Sequence, residues 1–272
     1  MNVARVKTRA GVVETIDAGS GAPAVLLLHG NSGHKEVFSR QVEALSPHYR
    51  VVVPDLIGHG GSEDASEPGR DYTLGGHAQY LAELVAAMGI GPVVVVGTSL
   101  GGHIALELAA QLPDARGLML VGAPPFAKDT ASLTGAWLPG PAIELSGKAE
   151  FGEADVERFI AAHAIDSPEL AEGLRGAIRR ADGRSRTTVV GALLGEQAAD
   201  QRELVRSAAV PIAVVNGGDD SAVNLEFVEA APYRRLWRGR AFRIAGAGHM
   251  PQASHPGAFN DLLAAFVRDC AG

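Results

Sequence analysis

A single cysteine, Cys270, is present in the chain, so no intrachain disulfide can form and no cysteine-based zinc site can be assembled. Aromatic residues are scarce at 5%. Apolar runs are short: Ala24–Leu28 and Val93–Val96, like every other run in the chain, fall far below the ~20 residues of a membrane-spanning helix. Basic residues are outnumbered, with 24 Lys+Arg against 31 Asp+Glu for a formal charge of −7. That sign disfavours gripping a phosphate backbone, so no nucleic-acid partner is expected. Residues 1–21 lack the apolar stretch of a signal peptide, which leaves a cytoplasmic protein with no membrane partner as the expectation. What is present is an ordinary globular composition, 46% hydrophobic and 20% charged. A chain of 272 residues accommodates one α/β domain with an insertion.

The apolar residues fall into compact runs: Val25–Leu28, Val51–Val53, Val93–Val96, Leu118–Val121 and Ile212–Val215. Runs without polar alternation read as strands buried on both faces, as in a parallel sheet covered by helices. Helical patterns lie between and after them, at about 36–46, 74–88, 100–112, 223–231 and 256–269, with a further strand at Ala241–Ala245. The order predicts a doubly wound, mostly parallel α/β sheet. Residues 3–17 alternate about a turn near Ala10-Gly11 and predict an antiparallel hairpin on the sheet edge. After Val121 no strand-like run recurs until Ile212, while Val156–Ala164 and Leu170–Arg180 are helical. The expected organisation is a core of 1–124 and 210–272 with a helical cap of 125–209 inserted in it, walling a site at the strand ends.

Gly97-Thr98-Ser99-Leu100-Gly101 follows one strand directly and opens a helix. In that setting a Gly-x-Ser-x-Gly turn lifts the serine hydroxyl above the sheet, because its tightness leaves no room for side chains two residues to either side. A hydroxyl needs a base to become a nucleophile, and His249 in Ala247-Gly248-His249-Met250 follows the last strand. The base needs a carboxylate to orient it, and Asp219 and Asp220 both follow the strand Ile212–Val215. An oxyanion would be met by the backbone N–H groups of Asn31, after the strand Val25–Leu28, and of Leu100. No His-x-His or His-Glu-x-x-His spacing occurs, so neither a metal nor another cofactor is expected.

Leu28-His29-Gly30-Asn31, the loop from Asp55 to Ser62, Gly97–His103, the Asp220 loop and Gly248-His249-Met250 together resemble the α/β-hydrolase superfamily. The resemblance implies an α/β-hydrolase fold with Ser99, Asp220 and His249 as catalytic residues, Asp220 being preferred to Asp219 by its spacing from Gly217. It also implies that Asp55 anchors a loop and that His59 and His103 are not bases. Further stretches, including Ala181-Asp182-Gly183-Arg184 and Val267-Arg268-Asp269-Cys270, are similar to the α/β-hydrolase-type N-acyl-homoserine lactonases. That similarity implies metal-independent serine hydrolysis of a small-molecule ester or lactone. Three positions depart from the subgroup pattern: Asp220 replaces another acid, Thr98 an aromatic residue, and Phe159 a substrate-bonding cap tyrosine.

Thr98, Phe126 and Phe159 are accordingly candidates for substrate contact. Trp137, Leu138, Phe151 and Ile160 could extend an acyl tunnel or be plain cap core. The basic cluster Arg179, Arg180, Arg184 and Arg186 reads as a solvated face. Serine at position 99 disfavours dehalogenase or epoxide-hydrolase chemistry. A general carboxylesterase, a carbon–carbon bond hydrolase or a non-catalytic receptor remain as alternatives.

Overall fold

The computed structural model describes residues 2–163, 167–193 and 198–272. Its strands are β1 (Asn2–Thr8), β2 (Gly11–Ala18), β3 (Ala24–Leu28), β4 (Val51–Pro54), β5 (Val93–Thr98), β6 (Ala115–Val121), β7 (Ile212–Gly217) and β8 (Phe242–Ile244). They form one sheet in the order β1-β2-β4-β3-β5-β6-β7-β8. The β1–β2 hairpin is antiparallel and joins β4 antiparallel at one edge, while every pair from β4 to β8 is parallel. The doubly wound α/β-hydrolase architecture read from the sequence is the one observed.

The apolar runs alternate between two cores. Leu26, Leu28, Val93, Val95, Leu118, Leu120 and Val214 face one side. Val25, Leu27, Val94, Val96, Met119, Val121 and Val215 face the other. Successive strand side chains point to opposite faces, so an unbroken apolar run requires helices on both. One face is covered by α3 (Leu74–Ala87) and α4 (Leu100–Ala109), the other by α1 (Ser39–Leu45) and α13 (Pro256–Asp269). A short helix, α2 (Pro68–Asp71), precedes α3.

Between β6 and β7 the described residues form α5 (Thr130–Ala136), α6 (Pro141–Ser146), α7 (Glu153–Ala161), α8 (Pro168–Arg180), α9 (Gly183–Ala192) and α10 (Gln201–Ser207). Their starts are fixed locally. Asp129, Ser167, Asp182 and Asp200 each accept a hydrogen bond from a first-turn backbone N–H, the role for which short polar side chains are favoured at helix N-termini. The chain is completed by α11 (Leu225–Glu229) and α12 (Pro251–Ser254).

Several predicted helices differ at their ends. The segment 36–46 divides into a 3-10 turn, Lys35–Phe38, and α1. Predicted helix 100–112 stops at Ala109, shortly before Pro113, and 223–231 contracts to α11 between the Asn224 cap and Pro232. The helix expected at Val156–Ala164 runs from Glu153 to Ala161, and Ala164 lies outside the described residues. Among the described residues no helix is long and apolar enough to cross a membrane.

Candidate active site

Strands β3 and β5 are parallel neighbours, and Leu28 pairs with Gly97. This register sets the loop after β3 beside the turn after β5. The chain leaves β3 for β4 on one side and then crosses back past β3 to β5 on the other. Such a switch point opens a crevice at the carboxyl ends of the strands.

Ser99 occupies the turn with φ 53° and ψ −120°, a region that non-glycine residues occupy at a cost of about 1–3 kcal/mol. Its backbone N–H donates to the Val121 carbonyl at 2.7 Å, and its own carbonyl accepts the first bonds of α4, from Gly102 and His103. A Cβ at Gly97 would lie 2.1 Å from the Gly101 carbonyl oxygen, and one at Gly101 would lie 2.2 Å from the Leu28 carbonyl oxygen. Both glycines are therefore steric requirements of the turn.

His249 lies on the loop between β8 and α12. Its Nδ1 donates to Asp220 Oδ2 at 2.8 Å. The other carboxylate oxygen accepts from the backbone N–H groups of Ala222 at 2.9 Å and Val223 at 3.2 Å, so the acid is held at both ends. Burial pushes the His249 imidazole down, but the Asp220 carboxylate more than reverses this and holds its proton affinity above the ordinary value. Burial likewise pushes Asp220 up, and the His249 ring with the two N–H donors outweighs it, leaving the carboxyl below its ordinary range. Asp219 is exposed, its backbone bonded to Ala247. The structure thus brings Asp220, and not Asp219, to His249.

Ser99 and His249 line one cavity of about 420 Å³, within the range of small-molecule sites. Asn31, Leu100, Thr98 and Phe159 lie on the same wall, as do Trp137, Leu138 and Ile160. Among the described residues neither the Ser99 hydroxyl nor the backbone N–H of Asn31 or Leu100 has a protein partner, and the Thr98 hydroxyl and His103 Nε2 on the same wall are likewise unpartnered. Phe126 and Phe151 are not on the wall. Phe126 is buried behind it against His103, ring centroids 5.4 Å apart, and Phe151 stacks under Arg186. Both rings are taken up by packing on other large side chains, Phe126 on His103 and Phe151 on Phe159 and Arg186.

The loop after β3 is held by two neutral imidazoles. His29 Nδ1 donates to Gly30 O, and its Nε2 accepts from Leu56 N. His59 Nδ1 donates to Ile57 O, and its Nε2 accepts from Ser32 N. Burial pushes both well down, His29 to about 4. Asp55 anchors the neighbouring loop through Lys35 Nζ at 2.6 Å and Gly61 N at 2.8 Å. His103 Nδ1 donates to Gln201 Oε1, and among the described residues neither the His59 nor the His103 ring is hydrogen-bonded to the Ser99 hydroxyl.

The basic cluster requires a correction. Arg179, Arg180 and Arg184 pair with Glu153, Asp64 and Asp182 at the surface, but Arg186 is only 3% exposed. Residue spacing cannot distinguish these cases, because Arg186 is enclosed by distant segments, the Lys148 and Ala149 carbonyls, the Phe151 ring and the Ser32 hydroxyl. Sequence reasoning also passed over His163, which lines the cavity from the end of α7. Among the described residues no group of three or more His, Cys, Asp or Glu side chains is placed to hold a metal.

Residues 23–256 match the family model described as the alpha/beta hydrolase fold. A solved structure of the N-acyl homoserine lactonase AidH complexed with N-butanoyl homoserine superposes with a TM-score of 0.95 at 36% identity, covering 99% of this chain and 97% of that one. A thermophilic esterase from Thermogutta terrifontis superposes with a TM-score of 0.79 at 25% identity over 100% of both chains. The pimeloyl-[acyl-carrier protein] methyl ester esterase of Xanthomonas axonopodis pv. citri (strain 306) is 33% identical over 264 residues, 93% of this chain and 98% of that protein. Taken with the geometry at the strand ends, these matches establish that the chain belongs to the α/β-hydrolase fold family.

Proposed function

We propose that this ester-hydrolysing enzyme acts through Ser99 as nucleophile, without a metal, and that N-acyl-homoserine lactones are its preferred substrates. One observation carries the reading. The carboxylate-held His249 and the free Ser99 hydroxyl lie on the wall of a cavity whose lining is otherwise largely apolar. That shape suits a polar lactone head joined to an acyl chain. The 36% identity to a protein described as an N-acyl homoserine lactonase supports the substrate class. In this reading residues 125–209 act as the cap over a core of 1–124 and 210–272, and the protein works in the cytoplasm as a quencher of quorum signals.

His249 Nε2 takes the Ser99 proton as the oxygen attacks the lactone carbonyl. Charge develops on the carbonyl oxygen and meets the N–H groups of Asn31 and Leu100, both free of acceptors among the described residues. Collapse breaks the ring C–O bond, and His249 returns its proton to the departing oxygen. In a lactone that hydroxyl stays tethered to the acyl group, so ring closure competes with water until water attacks the acyl-enzyme. His249 deprotonates that water and then reprotonates Ser99, releasing the ring-opened acid. Asp220 keeps the imidazole proton on Nδ1 and stabilises the imidazolium throughout.

The test is proton release from purified enzyme with lactones from N-butanoyl to N-dodecanoyl and with short p-nitrophenyl esters, using Ser99→Ala as control. Lactone opening that depends on Ser99 and outpaces ester cleavage is the expected result. Ester cleavage alone would reduce the assignment to a carboxylesterase. Inactivity on both would point to carbon–carbon bond substrates or to binding without turnover.

A further inference from the structure

His163 follows α7, and its Nδ1 lies 2.6 Å from the Phe159 carbonyl oxygen, one helical turn back. A carbonyl can only accept, so the proton sits on Nδ1 and Nε2 carries a lone pair. Among the described residues no donor reaches that Nε2, and the ring lines the catalytic cavity. It packs against Phe159, centroids 4.5 Å apart, and meets the His249 ring edge-on at 5.4 Å. Burial and the neighbouring His249 push its pKa down to about 4, so the imidazole is neutral where His249 works as a base.

Of the other polar side chains on this wall, the Thr98 hydroxyl and His103 Nε2 are buried without a partner among the described residues, and others are engaged. Asn31 Nδ2 donates to Ser146 O, the Thr134 hydroxyl to Thr130 O, and the Ser146 hydroxyl to Ile143 O. The two backbone N–H groups of Asn31 and Leu100 and the Ser99 hydroxyl can each donate to a carbonyl oxygen. Of the imidazole lone pairs on this wall, that of His163 belongs to a ring packed on His249, whereas the His103 ring packs on Phe126 and Trp137. A substrate whose carbonyl oxygen is met by those donors, and which also carries an N–H beside that carbonyl, needs one acceptor nearby. His163 Nε2 has the required chemistry and lies one ring contact from the catalytic imidazole.

We propose that His163 is a specificity-determining residue whose Nε2 accepts the amide N–H on the carbon next to the scissile carbonyl, selecting α-amido lactones over plain lactones. The inference rests on the Ser99 reading for the orientation of the substrate, so its test is a binding measurement independent of turnover. In a Ser99→Ala background, calorimetry would compare His163 with His163→Phe for two ligands. One is N-hexanoyl homoserine lactone; the other is α-heptyl-γ-butyrolactone, which has a similar chain but no N–H.

His163→Phe weakens binding of the amide ligand by roughly tenfold or more beyond any effect on the alkyl lactone, as expected for one lost hydrogen bond at a water-poor site. His163→Gln, whose amide oxygen restores an acceptor, recovers part of the difference. Equal loss for both ligands would show that the ring only shapes the wall and would overturn the proposal, as would no loss or no binding of either ligand. Selective binding by the Ser99→Ala protein, with no lactone opening by the serine-containing enzyme, would uphold His163 and refute the hydrolytic reading instead.

Discussion

The Arg186 guanidinium, carried by α9, donates through Nη1 to the Ser32 hydroxyl at 3.0 Å and so ties the inserted helices to the loop after β3. Its Nε and Nη2 donate to the carbonyls of Lys148 and Ala149, each at 2.7 Å, and its plane lies 4.3 Å above the Phe151 ring centroid. Among the described residues no carboxylate is within ion-pair distance of it. Burial correspondingly lowers its proton affinity, and only the more distant Asp182 opposes the shift. The charge is solvated by oxygen dipoles and a π face in place of water. Ser32, next to Asn31, has a left-handed backbone at φ 56° and donates its N–H to His59.

Removing this side chain is expected to act on stability and rate together. Arg186→Ala leaves two carbonyls without donors and a gap over Phe151, for a loss of about 2–4 kcal/mol in urea unfolding. If the loop holds the Asn31 N–H in place, kcat falls more than KM rises. Unchanged kinetics in the folded fraction would confine Arg186 to a structural role.

Ser99 itself stores strain that substitution should release. Glycine is at ease at φ 53°, ψ −120°, so Ser99→Gly is expected to gain about 1 kcal/mol of stability while abolishing turnover. The opposite holds at the flanking glycine: Gly101→Ala would place a Cβ 2.2 Å from the Leu28 carbonyl oxygen. That contact is with backbone, so the turn must open, and soluble yield and activity fall together. Wild-type activity in Gly101→Ala would refute the steric account.

The pH profile follows from the direction of the His249 shift. A base must be unprotonated to work, so kcat/KM rises with pH through a midpoint above the ordinary imidazole value of 6.5. Asp220→Asn removes the partner that raises it and also mis-sets the tautomer. The expected fall is roughly three to four orders of magnitude, with any residual acid limb displaced to lower pH.

Stability should respond to acid through other histidines. Burial pushes His29, His103 and His163 down to about 4 and His77 to about 3. Each binds its proton more readily in the unfolded chain. Their contribution is therefore complete above 6.5 and is lost as pH falls through the window down to about 4. His249 has the opposite sign and offsets part of the loss. Urea midpoints measured across this range check the slope, and His103→Gln should flatten it.

Metal removal gives a further prediction. In the Ser99 reading no step uses a cation, so exhaustive dialysis against EDTA leaves lactone and ester rates unchanged. Loss restored by added zinc would overturn that reading.

The parts of this protein legible in its sequence are those governed by short-range sterics. Apolar runs such as Val93–Val96 dictate strands buried on both faces, and the crowding around Gly97 and Gly101 dictates the turn that exposes Ser99. Helix ends were less legible, because caps and prolines such as Asn224 and Pro113 compete with periodicity. What only the tertiary structure decided depends on contacts between distant segments. Asp219 and Asp220 are adjacent and chemically alike, and the return of the chain after β8 determines which one meets His249. Phe126 and Phe159 are both apolar residues of the same insertion, yet one is packed behind His103 and the other faces the cavity. Arg186 belongs to a basic cluster whose other members are exposed, and only the docking of α9 buries it. The lone pair of His163 acquires its chemical meaning from the Phe159 carbonyl and the His249 ring. Local sequence sets backbone conformation through atoms a few bonds apart, whereas burial and hydrogen-bond partnership are set by the path of the whole chain.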